Sequence, residues 1–153
     1  MHEHIGFNFS FTEMQAAVGI AQMHKLPKII ETKKEIHDFY ISELSDIKEL
    51  KPVKIDYRTK PVFWFTSFLT DHVDELAEYL IKNNIQTRRF FYPLHLQPCY
   101  QKTNLVGDFN KNDFPVATKT FEMGISLPSS FQLNRKDQEL VVSLIKRFYE
   151  NRI

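Results

Sequence analysis

Apolar and polar positions follow one another along this chain in two rhythms, a helical one that returns every three or four residues and a denser one of short apolar runs. The first helical stretch opens at Thr12-Glu13-Met14-Gln15. This is a capping box, in which the Thr12 hydroxyl accepts from the Gln15 amide while the Gln15 side chain reaches back to the Thr12 amide. Behind it, Met14, Ala17, Val18, Ala21 and Leu26 recur on one face, and the small Ala16, Ala17 and Gly19 let another backbone approach closely, so this face is expected to be packed. Pro27 cannot donate to the preceding turn and ends or kinks the helix, yet it suits the first turn of a new one. A second helix is predicted over about residues 27–46, with Ile29, Ile36, Tyr40 and Leu44 as its apolar stripe and Lys33, Lys34, Glu35 and Asp38 on its wet side.

After a polar connection, the run Val62-Phe63-Trp64-Phe65-Thr66-Ser67-Phe68-Leu69 is aromatic, β-branched and too short for a buried helix, which predicts a buried strand. Thr70 or Asp71 is expected to cap the next helix, whose Val73, Leu76, Ala77, Leu80 and Ile81 share one face. Asn83 and Asn84 can close it in the left-handed conformation, and Ile85 to Phe91 predict a second strand, completing a strand-helix-strand unit. From Tyr92 to Asp113 no period holds; a loop of that length marks a functional or a disordered segment. A short helix is predicted from Pro115 to Met123, stopped by Gly124, and Ile125-Ser126-Leu127-Pro128 is extended. The last helix is capped by Asn134 with Asp137 at its third position, and buries Leu140, Val141, Leu144, Ile145 and Phe148. The pattern predicts an α+β domain of two leading helices followed by a small sheet with packed helices.

Composition narrows the possible functions. The 153 residues, 42% hydrophobic and 25% charged, suit one domain that buries about two thirds of its unfolded surface. Twenty basic against nineteen acidic side chains leave a formal charge of +1, so no global field points to nucleic acid or an anionic membrane. The four glycines, at 6, 19, 107 and 124, cannot write a dinucleotide-binding turn or a phosphate-cradling loop. No apolar stretch approaches the roughly 20 residues that span a bilayer, and His2, Glu3 and His4 do not open a signal peptide, so neither feature is expected. A single cysteine, Cys99, excludes an internal disulfide framework and a Cys-rich zinc module and fits the cytoplasm. Most of the fourteen phenylalanines sit in runs such as Phe63, Phe65 and Phe68 or Phe90 and Phe91, where core burial is expected.

Most candidate chemistry reduces to ordinary structure. His2 and His4 lack a third metal ligand at usual spacing. Asp71 with Asp74, and Glu75 with Glu78, lie on the first turn and wet face of a helix, where carboxylates favour the dipole. Cys99 with His95 has no orienting partner and no helix amino terminus to activate the thiol. Two segments stand apart. Tyr92-Pro93-Leu94-His95-Leu96-Gln97-Pro98 holds a histidine between two prolines at a strand end, as a fixed functional ring or as a ring bonded to backbone in a turn. Gly6-Phe7-Asn8-Phe9-Ser10-Phe11 alternates, so Asn8 and Ser10 can face one way and present donors to an anion just ahead of the capped helix.

Taken together, these segments carry a resemblance. GFNFSFTEMQAAVGIAQMHKLPKII, RRFFYPLHLQPCY and FPVATKTFEMGISLP are similar, in order, to the later blocks of the DegT/DnrJ/EryC1/StrS family of pyridoxal-phosphate-dependent sugar aminotransferases. The specific elements are Gln15-Ala16-Ala17-Val18-Gly19 with Gln22, the Pro93-Leu94-His95 step and Leu127-Pro128.

The resemblance implies the small carboxy-terminal domain of a fold-type I transferase over residues 1–153, with 1–46 as a helical segment bearing an inter-subunit loop and 60–153 as an α+β sandwich. It also implies a missing amino-terminal half that carries the cofactor lysine, and a homodimer in which Asn8 reaches the cofactor phosphate of the other subunit. The neighbouring family arginine is Ser10 here, which removes a full positive charge from that segment. His95, with Tyr92 beside it, inherits a place on the nucleotide-sugar side. The implied reaction moves an amino group from glutamate to a nucleotide-linked keto-sugar, with pyridoxal phosphate as electron sink, and this chain alone is expected to be inactive. A dehydratase of the same family and a stand-alone dimerisation or binding module remain alternatives.

Overall fold

The computed structural model describes residues 10–56, 58–101 and 109–152. Helix α1 (Glu13–Met23) opens on the expected capping box. The Gln15 amide donates to Thr12 Oγ1 at 3.3 Å, and the Thr12 amide donates to Gln15 Oε1 at 2.8 Å. Helix α2 (Leu26–Glu43) carries Pro27 in its first turn and ends slightly earlier than predicted, its chain continuing through single turns to Leu50. Four strands follow, β1 (Lys51–Pro52), β2 (Thr66–Leu69), β3 (Arg88–Arg89) and β4 (Gly124–Leu127), with α3 (Val73–Lys82) between β2 and β3. A 3₁₀ turn (Leu94–Leu96) and the short α4 (Pro98–Gln101) occupy the first part of the segment expected to be an aperiodic loop. Helix α5 (Pro115–Met123) leads into β4, and α6 (Arg135–Glu150) closes the described chain.

The sheet order is β1-β2-β4-β3 and every neighbouring pair is antiparallel. β2 and β3 are therefore parallel to each other, and the strand-helix-strand unit leaves a gap that β4 fills. Helices α2, α3 and α6 cover one face. Ile36, Tyr40 and Leu44 of α2, Leu76 and Leu80 of α3, and Val141, Ile145 and Phe148 of α6 meet Phe68, Ile125 and Leu127 of the sheet in one core. Burying each such side chain contributes about 1.5–3 kcal/mol. Two polar ties seal this layer: the Tyr40 hydroxyl donates to Pro128 O at 3.1 Å, and the Thr70 and Tyr149 hydroxyls meet at 2.8 Å.

The predicted caps at the other helix ends hold where polar side chains act locally. Asn134 Oδ1 accepts from the Asp137 amide at 2.9 Å. Asn84 takes the left-handed conformation at φ 62°, while Asn83 keeps negative φ. The cap of α3 is a correction: His72 holds that position without a side-chain bond, and Thr70 is instead buried against Tyr149 while accepting from the His72 amide at 3.2 Å. Both predicted strands are also shorter than expected. Before Thr66 the Trp64 amide bonds back to Val62 O at 2.9 Å and Lys33 draws off Trp64 O, so the chain folds on itself there and joins no ladder. The expected packed face of α1 is exposed instead: no α1 residue is buried, and Met14 and Ile20 are 82% and 63% exposed.

Candidate functional site

Strand alternation sends neighbouring residues to opposite faces, and here it separates two adjacent arginines. Ser67 pairs with Ser126 and Ser126 with Arg88 across the sheet, while Phe68 pairs with Ile125 and Ile125 with Arg89. The second row belongs to the helical layer. Arg89 is tied there to Asp74 of α3, and its Nη2 donates to Glu122 O at 2.8 Å at the end of α5. The first row forms the floor of the uncovered face, where the Ser67 and Ser126 hydroxyls lie 2.9 Å apart.

Two adjoining cavities open on that face and share Phe65, Arg88 and Ser126. One, of about 390 Å³, has apolar walls from Phe90, Phe91, Pro93 and Phe121. The other, of about 590 Å³, is polar, with Lys33, Gln86, Thr87, Ser129 and Ser130 around Trp64. The guanidinium of Arg88 lies 5.6 Å from the Phe65 ring centroid and 5.4 Å from that of Phe91, so aromatic faces hold it in place. Trp64 stacks on Phe65 at 4.5 Å yet stays 62% exposed. The expected burial of the aromatic run is thus corrected: Phe68 is in the core, while Phe91 is 65% exposed and Phe63, Phe65 and Phe90 are half-buried.

Lys33 pins the rim of the polar cavity. Its ammonium donates to Trp64 O at 2.8 Å and to Ser129 O, joining α2 to the segments before β2 and after β4. Partial desolvation lowers its pKa below the ordinary lysine value.

The residues singled out from sequence are distributed unevenly. Asn8 lies outside the described residues, as do His2 and His4. Ser10 is exposed at the entrance to α1. Tyr92 and His95 both lean on the α5 region: Tyr92 sits edge-on to Phe121 at 5.2 Å, and the His95 ring lies 4.8 Å from that of Phe114, which caps α5. His95 Nε2 is buried without a hydrogen-bond partner among the described residues. Three of the four carboxylates named from the sequence are surface ion-pair members, Asp74 with Arg89, Glu75 with Arg152 and Glu78 with Lys82. Cys99 is buried. Among the described residues no three His, Cys, Asp or Glu side chains cluster as metal ligands, and no helix is long and apolar enough to cross a membrane.

Pyridoxal phosphate requires an amine for its aldehyde, a carboxylate for its ring nitrogen and a cradle for its phosphate. Lys33 is the lysine in the walls of these two cavities; it is committed to two carbonyls, and no aspartate or glutamate lines either cavity. Neither of these two cavities therefore makes a cofactor site by itself.

This layered domain, with one sheet face packed and the other left open, matches a known class. The DegT/DnrJ/EryC1/StrS aminotransferase family model covers residues 1–146, and the chain belongs to that family, in its carboxy-terminal domain. Among similar proteins, the GDP-perosamine synthase of Vibrio cholerae is 31% identical over 97% of this chain and 40% of its own length. The UDP-4-amino-4,6-dideoxy-N-acetyl-beta-L-altrosamine transaminase of Campylobacter jejuni is 27% identical over 90% of this chain and 36% of its own. S. venezuelae DesV, solved in complex with a ketimine intermediate, superposes with a TM-score of 0.83 at 25% identity, over 97% of this chain and 39% of that one. The chain thus spans about 40% of the length of the curated relatives it matches.

Sequence reasoning passed over Arg88, Lys33 and Trp64. A signal was present: two consecutive arginines in a strand cannot share a face, so one of them had to leave the helical layer.

Proposed function

We propose that this chain is the carboxy-terminal part of a pyridoxal-phosphate-dependent aminotransferase that transfers an amino group from glutamate to a nucleotide-linked keto-sugar. The carrying observation is the family match over residues 1–146 at about 40% of the relatives' length. The names of the Vibrio and Campylobacter relatives support the nucleotide-sugar class. In this reading residues 1–46 are a helical segment bearing an inter-subunit loop and residues 60–153 form the sandwich. The exposed apolar side chains of α1 and Phe11 support a homodimer. Asn8, with Ser10 beside it, reaches the cofactor phosphate. His95 and Tyr92 stand on the sugar side, and the orphaned His95 Nε2 supplies an atom that requires a partner. The assembled enzyme works in the cytoplasm, and this chain alone is inactive.

The test is a fusion of this chain to the part of the Vibrio GDP-perosamine synthase that it does not cover. With pyridoxal phosphate and glutamate, the fusion performs the glutamate half-reaction, followed by its absorbance change, and with a nucleotide-linked keto-sugar it completes the cycle. This chain alone forms no stoichiometric borohydride-fixed adduct. Asn8→Ala weakens cofactor retention by about 1–3 kcal/mol, the cost of a lost hydrogen bond to a charged group. His95→Ala slows the sugar half-reaction and spares the glutamate one. A folded, dimeric fusion inert in both half-reactions overturns the reading.

A further inference from the structure

Arg88 and Arg89 are chemically identical neighbours with opposite employment. Arg89 donates to Asp74 and to the carbonyls of Phe121 and Glu122, so its charge is consumed in holding the fold together. The Arg88 guanidinium makes no hydrogen bond or ion pair to any described residue; it faces the rings of Phe65 and Phe91. An arginine flanked by aromatic rings is restricted in its rotamers, and among the described residues nothing takes any of its five N–H groups, which leaves them for an incoming acceptor. Such pre-ordering is the usual cost of binding, already met in the unbound chain.

The surroundings specify the acceptor. Lys33 lines the same cavity and, with two protons given to carbonyls, retains a third. Thr87, Ser126, Ser129 and Ser130 line the wall as well, the Ser129 hydroxyl donating to Trp64 O and the Ser126 hydroxyl meeting that of Ser67, and no carboxylate lines this cavity. A cavity of about 590 Å³ lies within the range of small-molecule sites and exceeds what one carboxylate needs. At its edge stands Trp64, backed by Phe65 at 4.5 Å and largely exposed, a platform for a flat ring. Two cations, a hydroxyl-rich wall and an aromatic shelf suit a nucleoside diphosphate.

We propose that Arg88, with Lys33, receives the diphosphate of the nucleotide-linked substrate on the open sheet face, while the base stacks on Trp64. The assignment rests on the proposed aminotransferase reading for the origin of the ligand, and its geometry stands on this chain alone.

Trp64 is the single tryptophan of the chain, so its fluorescence reports on the site. Titration of the 153-residue chain with GDP or UDP is expected to quench it saturably. Inorganic pyrophosphate should displace the nucleotide, and glutamate should not. Arg88→Gln is expected to weaken nucleotide binding about 10- to 100-fold, with Arg88→Lys in between because it keeps the charge and loses the fork. Trp64→Phe, read by calorimetry, should bind more weakly with unchanged affinity for pyrophosphate. Absence of saturable binding, equal affinity in Arg88→Gln, or displacement by glutamate each overturns the proposal. Failure of the two ideas is distinguishable. A fusion that transaminates with Arg88→Gln indistinguishable from the parent sinks the site and spares the enzyme. A chain that binds GDP through Arg88 within an inert fusion does the reverse.

Discussion

The two faces of one four-stranded sheet show how a domain separates stability from function. On the helical face, Phe68, Ile125 and Leu127 touch three helices and are nearly inaccessible to solvent. On the other face, the same strands present Ser67, Ser126 and Arg88 beneath two cavities. Residues one step apart in sequence thus serve different ends, and alternation alone makes the division. Burial sets the value of a side chain on the first face; on the second it is what the side chain leaves unsatisfied that counts.

The contrast is broken most directly by truncating one aromatic on each face. Phe68→Ala is expected to lower unfolding free energy by about 3–5 kcal/mol, whereas Phe91→Ala should cost no more than about 0.5 kcal/mol. Urea midpoints of the two variants give the comparison, and equal losses would mean that the open face is packed after all. A smaller effect is expected at Gly124, where an added Cβ would collide with the Phe90 ring. Gly124→Ala should cost about 1–3 kcal/mol, and combining it with Phe90→Ala should recover part of that loss in a double-mutant cycle. Additive losses would show that the ring is not the obstacle.

The arginine pair sharpens the same comparison. Arg89→Gln removes bonds to the end of α5 and should cost about 1 kcal/mol, while Arg88→Gln should leave the melting temperature unchanged. Identical melting curves for the two variants would erase the distinction between them. Smallest over the accessible range is a pH effect on α2. Burial raises the Tyr40 phenol well above its ordinary value, so the unfolded chain ionises first and stability falls as pH climbs past about 10. Desolvated Lys33 acts with the opposite sign, because losing its charge favours the fold. Stability of the parent minus that of Tyr40→Phe, followed from pH 8 to 11, isolates the phenol; a flat difference would show that Tyr40 ionises as readily folded as unfolded.

What the sequence disclosed follows the range of each interaction. Thr12 with Gln15 and Asn134 with Asp137 act across three residues, so their bonds could be written from the sequence and recur in the structure. The left-handed Asn84 is equally local. Strand length depends on partners far away. Residues 62–65 look like a strand and leave the ladder because Lys33, some thirty positions earlier, takes a carbonyl that pairing would need. The family resemblance located Pro93-Leu94-His95, and the structure sets that segment against α5. Arg88 stayed hidden because aromatic runs read as core, and which aromatics are buried is decided only when the helices choose a face.

β4 lies between β2 and β3, yet it is the last of the four strands in sequence. On a ribosome, β2 and β3 emerge with no partner for the edges that face each other, and residues 124–127 must be made before either can be satisfied. The sheet therefore closes from the middle and late in synthesis, with α6 following to cover it. Until then two strand edges stand unpaired beside the aromatic segments around Trp64 and Phe91, which stay largely exposed even in the folded chain. The nascent chain is most prone to aggregate in the interval before Gly124 appears.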